Sequence, residues 1–125
     1  MSKRFSGLEI EERTDEGRHM LTLGGELDIA SVPILHAAIA RIRQAGTTGA
    51  ITLDLSGLIF IDSTGVAEII LTSQLCDRDG FELILIPGPR AVQRIFELTG
   101  MLDALPFAGA DETRQPVSKG DRRGI

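Results

Sequence analysis

The sequence predicts a single α/β domain in which a mixed β-sheet is flanked by helices. Two observations carry this. A hairpin signal opens the chain, and behind it strand-like segments alternate with amphipathic stretches of helical period. The hairpin joins antiparallel strands, whereas β-helix-β crossovers join parallel ones, so the sheet is of mixed direction. The length of 125 residues fits one domain, because compact domains most often hold about 100 to 150 residues.

Residues 5–12 alternate Phe5, Leu8 and Ile10 with polar neighbours, and Thr14-Asp15-Glu16-Gly17 is a turn cluster before a second strand over 19–23. Gly24-Gly25-Glu26-Leu27-Asp28 reads as a loop. A first helix begins near Ser31, with Pro33 suited to its first turn and Leu35, Ala38, Ile39 and Ile42 on one face. The glycines at 46 and 49 end it. Residues 50–55 form a strand with Ile51, Leu53 and Leu55 on one side, and Ser56-Gly57-Leu58 is expected to turn toward Ile59-Phe60-Ile61.

A second helix is expected over 63–77, with Val66, Ile69, Ile70, Ser73 and Cys76 on one face. The short apolar run 81–86 reads as a strand covered on one or both faces, and Pro87-Gly88-Pro89 punctuates it. A third helix runs to about Thr99, turning Val92, Ile95 and Phe96 inward, before the stop at Gly100. Beyond Phe107 the apolar periodicity disappears. The domain is therefore assigned to 1–107, and 108–125, small, polar and interrupted by Pro116, to a flexible C-terminal tail.

Charge and composition narrow the function. A net charge of -5 and a pI near 5.0 have the wrong sign for a phosphate-backbone or anionic-membrane partner. Five Phe with no Trp or Tyr leave few rings for stacking on bases or sugars. One cysteine, Cys76, leaves no intramolecular disulfide and no CxxC zinc cluster, so a reducing cytoplasm is expected. The basic N-terminus runs straight into Glu9, Glu11 and Glu12 without the apolar segment of a signal peptide, and no apolar run approaches the ~18 residues of a membrane span.

Catalytic patterns fail in turn. There is no Gly-x-Ser-x-Gly elbow, and His19 and His36 have no carboxylate placed by sequence to orient them. No Rossmann or P-loop spacing occurs. Asp54 lacks the acidic companions of a metal-binding phosphoacceptor and reads as a solvent-facing strand residue. Cys76 falls on the buried face of its helix as a small core hydrophobe. Leu71 and Leu75 lie away from that face and form an apolar strip, which either packs on a neighbouring helix or meets a partner.

Asp62-Ser63-Thr64-Gly65 is the informative site. Ser and Thr favour helix N-caps, because their oxygens accept from otherwise unpaired backbone amides, so a purely structural cap is one reading. Covalent modification is the other. A phosphate on Ser63 would add roughly -1.5 to -2 charges, which the amides and dipole of a helix N-terminus accommodate and an acidic or apolar partner surface does not. Thr64 competes as acceptor in the same loop.

Gly25-Glu26-Leu27-Asp28, the strand 51–55 and above all Phe60-Ile61-Asp62-Ser63-Thr64-Gly65 resemble the STAS domain of bacterial anti-sigma-factor antagonists, in the expected order over about 8–107. The Gly88-Pro89 turn, Ile95-Phe96 and Thr99-Gly100 also look like the family. The resemblance implies a STAS-type fold and a partner-switching regulator. Unphosphorylated, it would bind an anti-sigma factor that is a serine kinase and so free a sigma factor; phosphorylation by that kinase would reverse the binding, and a phosphatase would restore it. By the same resemblance Ser63 is the phosphoacceptor, Asp62 shapes the loop and interface, Thr64 and Gly65 start the docking helix, and Asp28 lies near Ser63 in the partner surface. ATP and magnesium would belong to the kinase, leaving this chain a substrate with no cofactor, metal or enzymatic activity of its own.

The family usually closes with another amphipathic helix, for which 108–125 shows no apolar face, leaving edge protection and oligomeric state open. The alternative role is an unswitched STAS accessory subunit of a lipid-transport or stress-sensing complex, with Leu71 and Leu75 in a constitutive interface.

Overall fold

Hydrophobic alternation in the strands and a helical period between them produce a two-layer arrangement. A computed structural model describes residues 3–5, 7–45 and 49–109. Among these, the chain forms β1 (Lys3–Phe5), β2 (Leu8–Asp15), β3 (Arg18–Leu27), α1 (Val32–Arg43), β4 (Ala50–Ile61), α2 (Ser63–Asp79), β5 (Glu82–Ile86) and α3 (Arg90–Leu98). The sheet order follows the sequence, β1-β2-β3-β4-β5. β1, β2 and β3 pair antiparallel, and β3, β4 and β5 pair parallel through the α1 and α2 crossovers. The mixed sheet is as the sequence predicts.

Register explains where the core sits. Ile10 pairs with Leu23, Leu21 with Leu53, and Leu53 with Leu85, so these buried residues share one face of the sheet. Onto it α1 brings Leu35, Ala38, Ile39 and Ile42, α2 brings Val66, Ile69 and Cys76, and α3 brings Val92 and Phe96. Each fully buried aliphatic or Phe side chain contributes on the order of 1.5–3 kcal/mol. The row Met20, Thr52 and Ile84 lies on the opposite face and keeps partial contact with solvent. The apolar run of β5 is therefore covered on one face, as antiparallel and mixed sheets allow.

Several element boundaries differ from the sequence reading. The expected strand over 5–12 is broken into β1 and β2, and the chain reverses at Gly7, which has φ +85°. The expected loop 24–28 is mostly strand, because β3 continues to Leu27 beside β4. Ser56-Gly57-Leu58 is not a turn. β4 runs unbroken to Ile61 and absorbs its extra residues at register shifts between Thr22 and Gly24 and between Gly25 and Glu26. Asp54 accepts a hydrogen bond from the Ser56 amide at 2.9 Å at the first of these bulges, so its carboxylate shapes the strand. α2 extends past 77 to Asp79, and Gly80 stops it in the left-handed conformation. Ile70, Ser73 and Ile95 are half-buried at the flanks of their helices.

The sheet edge is closed without a further helix among the described residues. Leu85 donates its amide to the Pro106 carbonyl at 3.0 Å, and Ala108 donates to the Leu85 carbonyl at 2.8 Å. Phe107, which forms a parallel bridge with Leu85, sets its ring edge-on to Phe96 at 5.0 Å between centroids. The tail assignment falls largely on 110–125, which lie outside the described residues; Ala108 itself is tied to β5.

Candidate functional site

β3 and β4 end side by side, and the two loops that leave them build the site. Leu27 pairs with Ile61, and the Asp62 amide donates to the Leu27 carbonyl at 3.3 Å. Asp62 is the N-cap of α2: its φ and ψ are extended, and Oδ1 accepts from the Gly65 amide at 2.9 Å while its carbonyl accepts from Val66 at 3.0 Å. The cap is thus Asp62 rather than a hydroxyl. Ser63 occupies the first helical position, exposed, and its hydroxyl makes no hydrogen bond among the described residues.

Two backbone amides, those of Ser63 and Thr64, have no intrachain partner among the described residues, the usual state of a helix start. They and the helix dipole supply partial positive charge beside the carboxylates of Asp62 and Asp28 at this corner. Thr64 differs from Ser63 in being half-buried and in having Glu68 one turn further along the helix.

Close packing fixes the helix start against the sheet. A Cβ on Gly65 would lie 2.5 Å from the Leu27 carbonyl oxygen and 2.7 Å from Ile61 Cγ1, so only glycine lets α2 begin this close to β3 and β4.

The β3–α1 loop is cross-braced beside it. Asp28 Oδ1 accepts from the amides of Ala30 and Ser31, both at 3.1 Å, and the buried Ser31 hydroxyl accepts from the Asp28 amide and donates to the Glu26 carbonyl, both at 2.9 Å. Between these braces the Ile29 amide donates to Asp62 Oδ2 at 3.3 Å. Asp62 therefore joins both loops, and Asp28, Asp62, Ser63, Thr64 and Gly65 meet at one end of the sheet. Ile29 is 73% exposed. Sequence reasoning missed this side chain, because nothing in a residue's type reports that its loop turns it outward.

Ser63, Ala67, Leu71 and Leu75 recur every four residues along α2; the first three are exposed, and Leu75 is half-buried where this row drifts toward Glu68, Thr72 and Asp79, which face α1. That contact is polar at both ends: His36 Nδ1 lies 3.0 Å from Glu68 Oε2, and Arg43 Nε donates to Asp79 Oδ2 at 2.7 Å. His36, unpaired in the sequence reading, thus has a carboxylate partner on α2, and Glu68, buried to 7% exposure, is a polar core residue that the periodicity did not reveal. Cys76 is buried as expected, and burial pushes its thiol up to about 11 against the opposing charge of Arg43.

No three His, Cys, Asp or Glu among the described residues are grouped to hold a metal ion, and no helix there is long and apolar enough to cross a membrane.

Fold and site together define a small α/β domain whose candidate surface is a helix N-terminus at the end of a one-sided sheet. The chain belongs to the STAS domain family, whose model matches residues 9–113. It is 32% identical over 98 residues to an anti-sigma-B factor antagonist of Staphylococcus aureus, an alignment spanning 78% of this chain and 90% of that one. An anti-sigma factor antagonist from Mycobacterium paratuberculosis has the same fold, with a TM-score of 0.72 at 22% identity over 88% of this chain and 93% of the other. The antagonist SpoIIAA superimposes in its unphosphorylated form with a TM-score of 0.68 at 22% identity, covering 93% of this chain and 97% of that one. In its phosphorylated form, described as a Bacillus cell fate determinant, the values are 0.62 and 21%, covering 87% and 99%.

Proposed function

We propose that this chain is a cytoplasmic anti-sigma-factor antagonist that works by partner switching. Unphosphorylated, it binds an anti-sigma factor with serine-kinase activity and so releases a sigma factor. Phosphorylation of Ser63 ends that binding, and a phosphatase restores it. The observation that carries this reading is the division of labour at the α2 start: Asp62 performs the capping, which leaves the Ser63 hydroxyl exposed and without a structural task. Membership of a family with relatives named as anti-sigma factor antagonists supports it.

The same geometry favours Ser63 over Thr64 as acceptor. A kinase reaches an exposed hydroxyl at the first helical position more readily than a half-buried one, and a phosphate on Thr64 would face Glu68 at the i+4 position, where like charges repel. In the transfer the Ser63 Oγ bonds to the γ-phosphorus of ATP, the bond to the β–γ bridging oxygen breaks, ADP leaves, and the hydroxyl proton passes to a base of the kinase. Nucleotide and magnesium belong to the kinase. Asp28, Asp62, Thr64, Gly65, Leu71 and Leu75 serve as the surrounding partner surface, Leu75 with its remaining exposed part.

The product carries roughly -1.5 to -2 added charges at a surface shaped for a neutral hydroxyl. A loss of ~3 kcal/mol at that interface is more than a hundredfold in affinity, enough to change which partner is held. The test is to incubate the chain with the kinase and ATP and localise phosphate by fragmentation mass spectrometry across 62–65. Phosphate on Ser63, and none after Ser63→Ala, is the expected result; phosphate elsewhere in the wild type, with Ser63→Ala still switched off, refutes the proposal.

A further inference from the structure

Ile29 is the most exposed large hydrophobic side chain among the described residues, at 73%, yet its loop is one of the most heavily braced. Four hydrogen bonds from Asp28 and Ser31 fix the backbone on both sides of it, and a fifth ties its own amide to Asp62. Flexible loops hide apolar side chains at little cost. Here the backbone is held so that the side chain stays in water, and the gain from burying it is left for a partner that covers it.

The position of this residue fixes what covers it. Phosphoryl transfer requires the γ-phosphorus to come within about 3–3.5 Å of the Ser63 hydroxyl, so the kinase surface must lie on the α2 N-terminus. Ile29 is bonded through its amide to the residue immediately before Ser63. A standard interface buries about 800 Å² on each partner, a footprint that extends well past the neighbouring loop. We propose that Ile29 is an apolar anchor by which the serine-kinase anti-sigma factor recognises this chain. The inference rests on the function proposed above. It adds a recognition residue outside the α2 helix, held ready by Asp28, Ser31 and Asp62.

A loop whose backbone is already fixed loses less entropy on association than a mobile one. The test uses the purified kinase anti-sigma factor with ADP and titrates it with the unphosphorylated wild-type chain, Ile29→Ser, and Leu98→Ser. Leu98 is 67% exposed at the far end of α3 and serves as the control. Ile29→Ser is expected to weaken binding by about tenfold or more, and to raise KM for Ser63 phosphorylation by the same factor with kcat unchanged. Leu98→Ser is expected to bind as the wild type does.

A second variant, Ser31→Ala, leaves Ile29 and Ser63 in place but removes the central brace. Amide exchange at Ile29 and Ala30 should quicken, and affinity should fall. Binding of Ile29→Ser within about twofold of wild type overturns the anchor, as does faster exchange in Ser31→Ala with unchanged affinity. A wild-type chain that is neither bound nor phosphorylated by the kinase instead refutes the function itself, so the two failures are distinct.

Discussion

Asp62 Oδ1 accepts the Gly65 amide at 2.9 Å, and this single bond decides what Ser63 is free to do. Had Ser63 been the cap, its hydroxyl would be committed to the helix. With Asp62 in that role, the phosphate proposed for Ser63 would leave the cap bond in place. Asp62→Ala is expected to cost about 1 kcal/mol of stability through loss of the cap, with Asp62→Asn costing less because an amide oxygen still accepts. Ser63→Ala should change stability by no more than about 0.5 kcal/mol. Urea unfolding of the three variants measures the contrast, and a larger loss in Ser63→Ala than in Asp62→Ala would reverse the assignment.

Gly65→Ala probes the packing under the same helix start. The added methyl would sit 2.5 Å from the Leu27 carbonyl oxygen, which belongs to strand backbone and cannot rotate away. The expected loss is about 1–3 kcal/mol by urea titration, the range for overpacking a close contact. A neutral substitution would mean that α2 can lift from the sheet.

Thr72 offers the opposite sign. Its Oγ1 is buried without a hydrogen-bond partner among the described residues, at the α1-facing side of α2. Thr72→Val keeps the shape and removes the unsatisfied hydroxyl, so stability should rise by about 1 kcal/mol, read as an upward shift in Tm. A fall in Tm would show that the hydroxyl is satisfied in solution.

Acid sensitivity should trace in part to Asp79. The Arg43 guanidinium, bonded to its carboxylate at 2.7 Å, and then Arg78 at 3.2 Å hold its pKa below the usual 3.8. Because the folded value is depressed, the associated stability is present above about pH 3.8 and is lost as pH falls below it through the folded value. Asp79→Asn should therefore flatten the stability profile at the acid end. Urea midpoints measured between neutral pH and pH 3 for both chains test this, and parallel profiles would count against the Arg43 contact.

Element type was readable along most of the described chain because the apolar pattern has period two in β2 and the first half of β4, a short continuous apolar run in β5, and the helical period in α1 and α3. What the pattern could not supply was register. Ser56-Gly57 and Gly24-Gly25 carry ordinary turn residues, yet they lie opposite each other in a bulged parallel pair, a relation set by the β3–β4 pairing. The cap illustrates the same limit. Asp62, Ser63 and Thr64 are three successive candidates, and the choice falls to Asp62 because the Leu27–Ile61 pair ends the sheet just before it. The local motif pointed to the candidate site, while the exposed Ile29 and the buried Glu68 emerged only from the structure.

A phosphate on Ser63 is expected to change partner affinity while leaving the domain folded. The most direct measurement titrates the kinase anti-sigma factor with two forms of the chain, one unmodified and one carrying phosphoserine at position 63, with circular dichroism confirming the same fold in both. A loss of affinity of more than about a hundredfold is expected for the phosphorylated form. Equal affinities for two equally folded forms would contradict it.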